Sequence, residues 1–599
     1  MRPSRAWLLG AALRVVQGVA FIAGSVELAR VTLRASGGRP LLWAFNHMDE
    51  ARFTSMAMLT GTLRFRNGIA GITNDDQVFN GAAFTNWGFG VPLLQLPFEA
   101  IATRYRATFP TGFFPDRAIF FIYAASLGPV LWWALDRVLA DRRDDAGWLA
   151  WARRSILSFA ATGLVLMVAL YQLTAYRFFL YEETIAYLVV AELFAMCAYL
   201  QVRRSPSLLP VVALAAAAGI GLLIRPTGGG YFGMWCVMLA LARAGRARVA
   251  SLTVFAAAAA PFVAFWLYSN QVRGGSPLAL GFANSEPWFT YHIPMLRWGS
   301  QCADTPAHWY EGARSLFNAF FLSVREQPTD PHLLACHFNI ELQESSTYAA
   351  EPFFGVGVLL LLVGILGHYV WRREKSVARY LPLLALLVLF YNFVKAGMGF
   401  GWRYAGDFWP LVVLIVVQYV GWLPRSVHRY LGWRMALVVA AVAFAGYRRH
   451  VVSVLPTIRT LEPFAVASMQ ERFQNARWGV DPPLPSHVAC HDAVAWPYRG
   501  GIGWSGSCAV DTFTNLYLGV PKKPDAGYEL RFETEQITVP SVRVYVNGRY
   551  YTATRDGATY RTPIDIDPRA LAAPAVLVTI EWSGTFTSLG GRLVSIEIA

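Results

Sequence analysis

The stretch Asn46-His47-Met48-Asp49-Glu50-Ala51-Arg52-Phe53 sets two carboxylates side by side behind an imidazole. One carboxylate of such a pair can serve as general base on a hydroxyl, while the other orients it or holds a metal. Asp75-Asp76, after Asn74, is a pair of the same kind and an alternative to the first. Glu182-Glu183 follows the aromatic run Tyr176-Arg177-Phe178-Phe179-Leu180-Tyr181. A Glu pair in that setting also suits a helix N-terminus, where it complements the dipole. Arg225, in Ile224-Arg225-Pro226-Thr227, offers a guanidinium suited to bidentate phosphate binding. So does Arg403, beside Tyr404 in Gly401-Trp402-Arg403-Tyr404-Ala405-Gly406-Asp407. Snorkelling, or a pair with Asp407, is the structural use of the same arginines. GxxxxGK[ST] is missing from the sequence, and the two GxGxxG strings, Gly228–Gly233 in an apolar run and Gly501–Gly506 in the C-terminal region, do not stand between a strand and a helix of a βαβ unit, which speaks against ATP or NAD chemistry.

These residues must be positioned by a chain of 599 residues that is 55% hydrophobic and only 15% charged. Soluble domains carry about 25% charged residues, so one large water-soluble enzyme and a disordered chain are both excluded. Apolar runs of roughly 20 residues cross a bilayer. Eleven candidates lie near 7–25, 117–135, 155–175, 183–201, 208–225, 229–242, 250–268, 353–371, 380–396, 408–423 and 434–447. Counting from a cytoplasmic N-terminus with Arg2 and Arg5, each short even-numbered connection is basic: Arg137, Arg142, Arg143, Arg153 and Arg154; Arg203 and Arg204; Arg243, Arg246 and Arg248; Arg372, Arg373, Lys375 and Arg379; Arg425, Arg429 and Arg434. That is the charge bias of cytoplasmic loops. It absorbs most of the net charge of +14, which on a soluble protein would suggest nucleic acid. The basic, apolar start of the chain, Met1 to Ser25, lacks a clear small-x-small cleavage site, and it reads as a span more readily than as a signal peptide.

The expected architecture is a polytopic α-helical bundle over 1–447, with outer loops at 26–116 and 269–352, a linker at 448–484, and an outer β-domain at 485–599. In that last region Val542–Val546 and Arg549–Thr554 flank Asn547-Gly548, a strong hairpin signal. Val576–Trp582 and Arg592–Ile598 read as further strands of a sandwich or jelly roll. Its aromatics Trp496, Tyr498, Trp504, Tyr550, Tyr551 and Trp582 suit either a core or stacking on sugars. Cys302 with Cys336, and Cys490 with Cys508, fall on the oxidising side and read as two disulfides. Cys197 and Cys236 fall inside spans as small buried residues. The first outer loop carries amphipathic stretches near 50–64 and 84–101, the second reading as an interfacial or re-entrant element.

The order of these features resembles the bacterial GT-C superfamily of integral membrane glycosyltransferases, in the branch of protein O-mannosyltransferases and lipid A aminoarabinose transferases. The motifs that carry it are His47-Met48-Asp49-Glu50-Ala51-Arg52-Phe53, Leu63-Arg64-Phe65-Arg66-Asn67-Gly68, Asn86-Trp87-Gly88-Phe89-Gly90-Val91-Pro92-Leu93-Leu94 with Leu96-Pro97-Phe98-Glu99, Tyr181-Glu182-Glu183-Thr184, and Arg273-Gly274-Gly275-Ser276-Pro277-Leu278. They span roughly residues 1–425, leaving the β-domain outside. The resemblance implies transfer of a sugar from a polyprenyl-phosphate donor to an envelope hydroxyl at the outer membrane face, usually with inversion. Asp49 would then be the base, with Asp75 and Asp76 the alternative. Glu50 would assist it or share a divalent cation, Mg2+ or Mn2+, with it. Arg403, Arg225 and Tyr404 would hold the donor phosphate, and His47, Glu182 and Glu183 would contact substrate. No nucleotide cofactor and no nucleic acid is expected. The acceptor would be a glycan, glycolipid or protein, and the place a bacterial inner membrane with the C-terminal domain periplasmic or extracellular. A flippase of lipid-linked sugars, or an envelope polysaccharide polymerase or ligase, is the alternative. The former would favour internal repeats, which the sequence does not display, and the singled-out ionisable residues gather at the outer ends of the runs.

Overall fold

The computed structural model describes residues 50–64, 76–79, 82–85, 87–104, 116–140, 148–166, 180–278, 352–395, 406–422, 486–489, 513–521, 527–546, 549–566, 575–581 and 591–599. The chain divides into two compact units. The first comprises 1–44, 115–264 and 298–459; the second comprises 45–114, 265–297 and 460–599. It is mostly helical, with a C-terminal antiparallel sheet.

The first unit is a helical bundle. Its described helices are α3 (Asp116–Ala140), α4 (Trp148–Leu166), α5 (Leu180–Val202), α6 (Leu209–Ile224), α7 (Pro226–Ala242), the first part of α8 (Gly245–Gly274), α9 (Pro352–Trp371), α10 (Val377–Lys395) and α11 (Trp409–Trp422). Nine of the expected apolar runs coincide with these helices; those near 7–25 and 434–447 lie outside the described residues. Among the described residues, two helices are long and apolar enough to cross a membrane, Glu183–Val202 and Gly245–Gly274. Interior prolines at Pro129, Pro261 and Pro382 do not end their helices. α5 is the axis of the bundle: it packs against α3, α6, α7 and α11 and is almost wholly buried. Cys197 in α5 and Cys236 in α7 are free thiols, buried and half-buried respectively.

One residue links α6 to α7. Arg225 precedes Pro226, and the proline ring pushes its predecessor out of the helical region. Arg225 is accordingly extended, at φ −154° and ψ 160°. Pro226 opens α7 where its missing N–H costs nothing. So short a link holds the two helices in backbone contact. A methyl group added to Gly228 would stand 1.8 Å from the Gly221 carbonyl oxygen.

In the second unit, α1 (Glu50–Leu59) packs on α2 (Gly90–Arg104), and β1 (Asp76–Phe79) pairs antiparallel with β2 (Ala82–Thr85), Asp76 opposite Thr85. The amphipathic stretch near 84–101 is thus the end of a strand followed by a helix. Trp87, Phe89 and Val91 are buried in it, and Leu63, Phe84 and Phe89 form a small core with Met58, Phe265 and Val272.

The C-terminal strands are β3 (His487–Ala489), β4 (Phe513–Gly519), β5 (Tyr528–Glu535), β6 (Ser541–Val546), β7 (Arg549–Asp556), β8 (Thr559–Ile564), β9 (Ala575–Glu581) and β10 (Arg592–Ile598). They form one hydrogen-bonded antiparallel sheet in the order β3-β10-β5-β8-β7-β6-β9-β4. It curls so that β10 comes near β4, and strands along its whole width contribute to a single core, including Leu530, Phe532, Val544, Tyr560, Val578 and Ile596. The expected hairpin is β6–β7, with Val546 opposite Arg549 and Asn547-Gly548 between them in sequence. In β5 the residues Tyr528, Leu530, Phe532 and Thr534 are buried, alternating with more exposed ones, as the period of two in a half-buried strand requires.

Candidate functional site

Two clusters of functional side chains emerge, one in each unit. In the bundle, Arg225 Nη2 lies 3.3 Å from Asp407 Oδ2, with both side chains buried. The Thr227 hydroxyl donates to Asp407 Oδ1 at 3.3 Å, and the Tyr231 hydroxyl donates to the Asp407 main-chain oxygen at 2.6 Å. Asp407 sits just ahead of α11, on the segment that carries Arg403 and Tyr404. The two segments expected to bind phosphate therefore meet in space. Arg225 is engaged there by Asp407, the ion pair that was its structural alternative. Burial pushes the Asp407 carboxyl above its usual range, with Arg225 and then the Thr227 hydroxyl pulling it back. Arg403 and Tyr404 themselves lie outside the described residues.

Glu183 is buried in the first turn of α5, three residues after its start at Leu180. Glu182 precedes it in that turn, and a carboxylate such as that of Glu183 is favourable at this end of the helix dipole. Deeper in α5, Glu192 was not singled out by sequence reasoning. Its Oε2 accepts a hydrogen bond from Trp235 Nε1 at 2.7 Å, and its Oε1 lies 2.3 Å from where a Gly221 methyl group would be. An acidic residue within a long apolar run was the available signal.

In the second unit, Glu50 is the first residue of α1. The Ser55 hydroxyl, one turn further on, lies 3.1 Å from the Pro92 carbonyl in α2. The helix that begins at Glu50 is thereby tied to the motif at 86–99. Arg273, at the end of α8, ties the same region down. Its Nη1 donates to the carbonyls of Trp87 at 2.8 Å and Thr85 at 3.3 Å, and its Nη2 donates to Asn270 Oδ1 at 2.8 Å. The guanidinium is buried and lies 5.4 Å from the centre of the Phe89 ring. The sequence placed Arg273 in a motif without giving it this role.

His47, Asp49 and Asp75 lie outside the described residues, as do Cys302, Cys336, Cys490 and Cys508. Asp76 opens β1. Among the described residues, no group of three or more His, Cys, Asp or Glu side chains is placed to hold a metal ion.

No protein-family model matches the chain, and no curated protein matches it. Among solved structures, it is similar to the arabinosyltransferase EmbB of Mycobacterium smegmatis, determined by single-particle cryo-EM. The identity is 11%, the match covers 100% of this chain and 68% of that one, and the TM-score is 0.24. A likeness that loose bears on neither site nor activity.

Proposed function

We propose that the chain is a membrane glycosyltransferase that moves a sugar from a polyprenyl-phosphate donor to a hydroxyl of a cell-envelope acceptor, inverting the anomeric centre. The observation that carries this reading is the packing of α1, which begins at Glu50, onto α2, with Met58 of α1 in the same core as Phe89. Leu63 and Phe89, from two motifs of the GT-C resemblance, share that small core.

In the proposed reaction Asp49 takes the proton of the acceptor hydroxyl as its oxygen bonds to the anomeric carbon. The bond from that carbon to the phosphate oxygen breaks, and the electron pair leaves on polyprenyl phosphate. Arginine at the departing phosphate stabilises charge where it develops. Arg403, with Arg225 and Tyr404, has this role, and Asp407 holds Arg225 in place. Asp75-Asp76 is the alternative base site, and His47, Glu182 and Glu183 line the substrate side. Asp49 and Glu50 would be the carboxylates to hold a divalent cation, Mg2+ or Mn2+, which would supply positive charge for the reaction; loss of activity on chelation, restored by the metal, would test that part. The proposed setting is a bacterial plasma membrane, with the N-terminus cytoplasmic and the β-domain outside, held by Cys302–Cys336 and Cys490–Cys508 disulfides.

The test is transfer from polyprenyl-phosphate sugars by the purified full chain in lipid. Asp49→Asn should lower turnover by at least about a hundredfold, the usual range for a general base. Arg403→Ala should weaken donor binding. Turnover unaffected by Asp49→Asn would move the base to Asp75-Asp76. Failure of wild type to bind any polyprenyl phosphate would sink the reading.

A further inference from the structure

The turn between α9 and α10 collects positive charge around exposed tryptophan. Four basic residues, Arg372, Arg373, Lys375 and Arg379, flank the single acid Glu374. Glu374 is committed: Arg379 binds its Oε2, and its Oε1 accepts from the Ser376 N–H at 2.7 Å. Arg372, Arg373 and Lys375 are exposed, and the ion pair between Glu374 and Arg379 is the one that the described residues place in this turn. Arg372 lies 4.8 Å from the centre of the Trp371 ring, which is 73% exposed. Behind this surface the site is built. His368 Nδ1 and the Tyr419 hydroxyl of α11 are 2.7 Å apart, and Trp422 packs edge-on to His368 at 5.0 Å. The Arg379 guanidinium lies 5.6 Å from the Trp422 ring.

Two features say what the exposed side meets. α9 runs 20 residues and α10 runs 19. At 1.5 Å per residue each covers about 30 Å, the thickness of a hydrocarbon core. Both show bare aliphatic side chains: Leu360 and Val363 on α9, Leu384 and Leu387 on α10, are each more than half exposed. An apolar wall that ends in tryptophan and in cations that no described carboxylate neutralises, Arg372 donating only to His368 Nε2 at 3.5 Å, has the profile of a membrane interface. Secondly, Arg373 is the residue at φ +52° that closes α9, a position usually given to glycine. A cation is kept there against its backbone preference.

We propose that the α9–α10 turn binds the phosphodiester headgroup of an anionic phospholipid, with the headgroup against Trp371 and the cations of 372–375 and the acyl chains along α9 and α10. This does not depend on the glycosyltransferase reading, only on a membrane-spanning bundle. Cations at a helix C-terminus also complement its dipole, but that would be felt in stability and not in lipid preference.

The experiment uses the full chain in detergent, stripped of lipid, and native mass spectrometry with phosphatidylglycerol against phosphatidylcholine. A basic residue near an anionic surface is worth a factor of about five. The triple variant Arg372→Gln/Arg373→Gln/Lys375→Gln should therefore lose at least about tenfold in preference for phosphatidylglycerol. Arg372→Lys/Arg373→Lys should keep it. So should Arg555→Gln/Arg561→Gln/Arg592→Gln, which removes the same charge from exposed positions of the β-domain. Brominated phosphatidylglycerol should quench fluorescence less in Trp371→Phe than in wild type. Unchanged preference in the first triple variant, equal loss in the β-domain control, or displacement of the lipid by millimolar inorganic phosphate would each overturn the proposal.

Discussion

Three consecutive glycines at the start of α7 should respond differently to alanine, and the differences follow from geometry alone. At Gly228 the new methyl group would stand 1.8 Å from the Gly221 carbonyl oxygen and 2.3 Å from its carbon. Those are backbone atoms of α6 and cannot swing aside. Ordinary carbon–oxygen contact needs about 3.3 Å, so α6 and α7 must part by roughly 1.5 Å, against a one-residue link. Overpacking of a tight core costs about 1–3 kcal/mol, and Gly228→Ala belongs at or above the top of that range. At Gly229 the methyl group meets only Leu222 Cδ1 at 3.6 Å, an ordinary contact. At Gly230 nothing lies within 4 Å. There alanine restricts the unfolded chain and favours helix, a gain of about 0.5–1 kcal/mol. The assay is reversible unfolding of the purified chain in mixed micelles, following helical circular dichroism as sodium dodecyl sulfate is raised. The expected order of stability is Gly230→Ala and Gly229→Ala at or above wild type, with Gly228→Ala about 3 kcal/mol or more below. If Gly228→Ala unfolds with Gly230→Ala, α6 and α7 are not in backbone contact, and the placement of Arg225 between them is wrong.

Four further outcomes are open to measurement. Gly221→Ala should displace the Glu192 carboxyl from Trp235, costing about 1–3 kcal/mol, and Gly221→Ala combined with Glu192→Ala should recover part of that; an additive pair would refute the contact. Arg273→Ala removes the donors to two carbonyls and Asn270, so amide exchange across Thr85–Glu99 should rise as about 2–4 kcal/mol of local stability is lost; unchanged protection would show that the guanidinium is not the tie. Asp407 has its folded carboxyl value raised, chiefly by burial, so its contribution is fully present below the ordinary aspartate value of about 3.9 and is lost as pH rises through the raised value. The stability difference between wild type and Asp407→Asn should then shift against wild type over that window, and a flat difference would rule the linkage out. In the β-domain Tyr560 donates to the Val539 carbonyl at 2.6 Å, and burial raises its hydroxyl above the usual value. Tyr560→Phe should cost about 1 kcal/mol, and the stability that Tyr560 provides below pH of about 10 should fade as pH climbs through the raised value, visible as loss of the wild-type advantage over Tyr560→Phe.

The apolar helices and the strands β6, β7, β9 and β10 were legible because each is dictated by neighbours in sequence. Apolar runs such as 183–201 and 353–371 are helices because a backbone in so apolar a stretch satisfies its own hydrogen bonds most cheaply within one segment. Val542–Val546 and Arg549–Thr554 pair because Asn-Gly permits the tight reversal between them. Arg225 is extended because Pro226 follows it. All of these act over a few residues, and no knowledge of the fold is needed to apply them. The sequence likewise supplied the carboxylate and arginine candidates by type, including the Arg225–Asp407 pair as one of two uses for the arginine.

Which partner each candidate takes was decided at long range. Thr227 and Asp407 are 180 positions apart, and Arg273 reaches a carbonyl 186 positions away. Glu192 lies in an apolar helix whose local pattern gives no reason for a carboxylate, and its reason is an indole 43 residues on and a missing side chain at Gly221. A buried polar group must find a partner because leaving it bare costs more than most contacts return. That requirement says a partner exists, but only packing selects which one. The sequence by itself determined the apolar helices, the β6–β7 hairpin with β9 and β10, and the chemical types at the candidate site. The tertiary structure decided that Arg225 meets Asp407, that α1 rests on α2, and that the terminal strands form one curled sheet, because these are choices among distant surfaces that close packing alone can make.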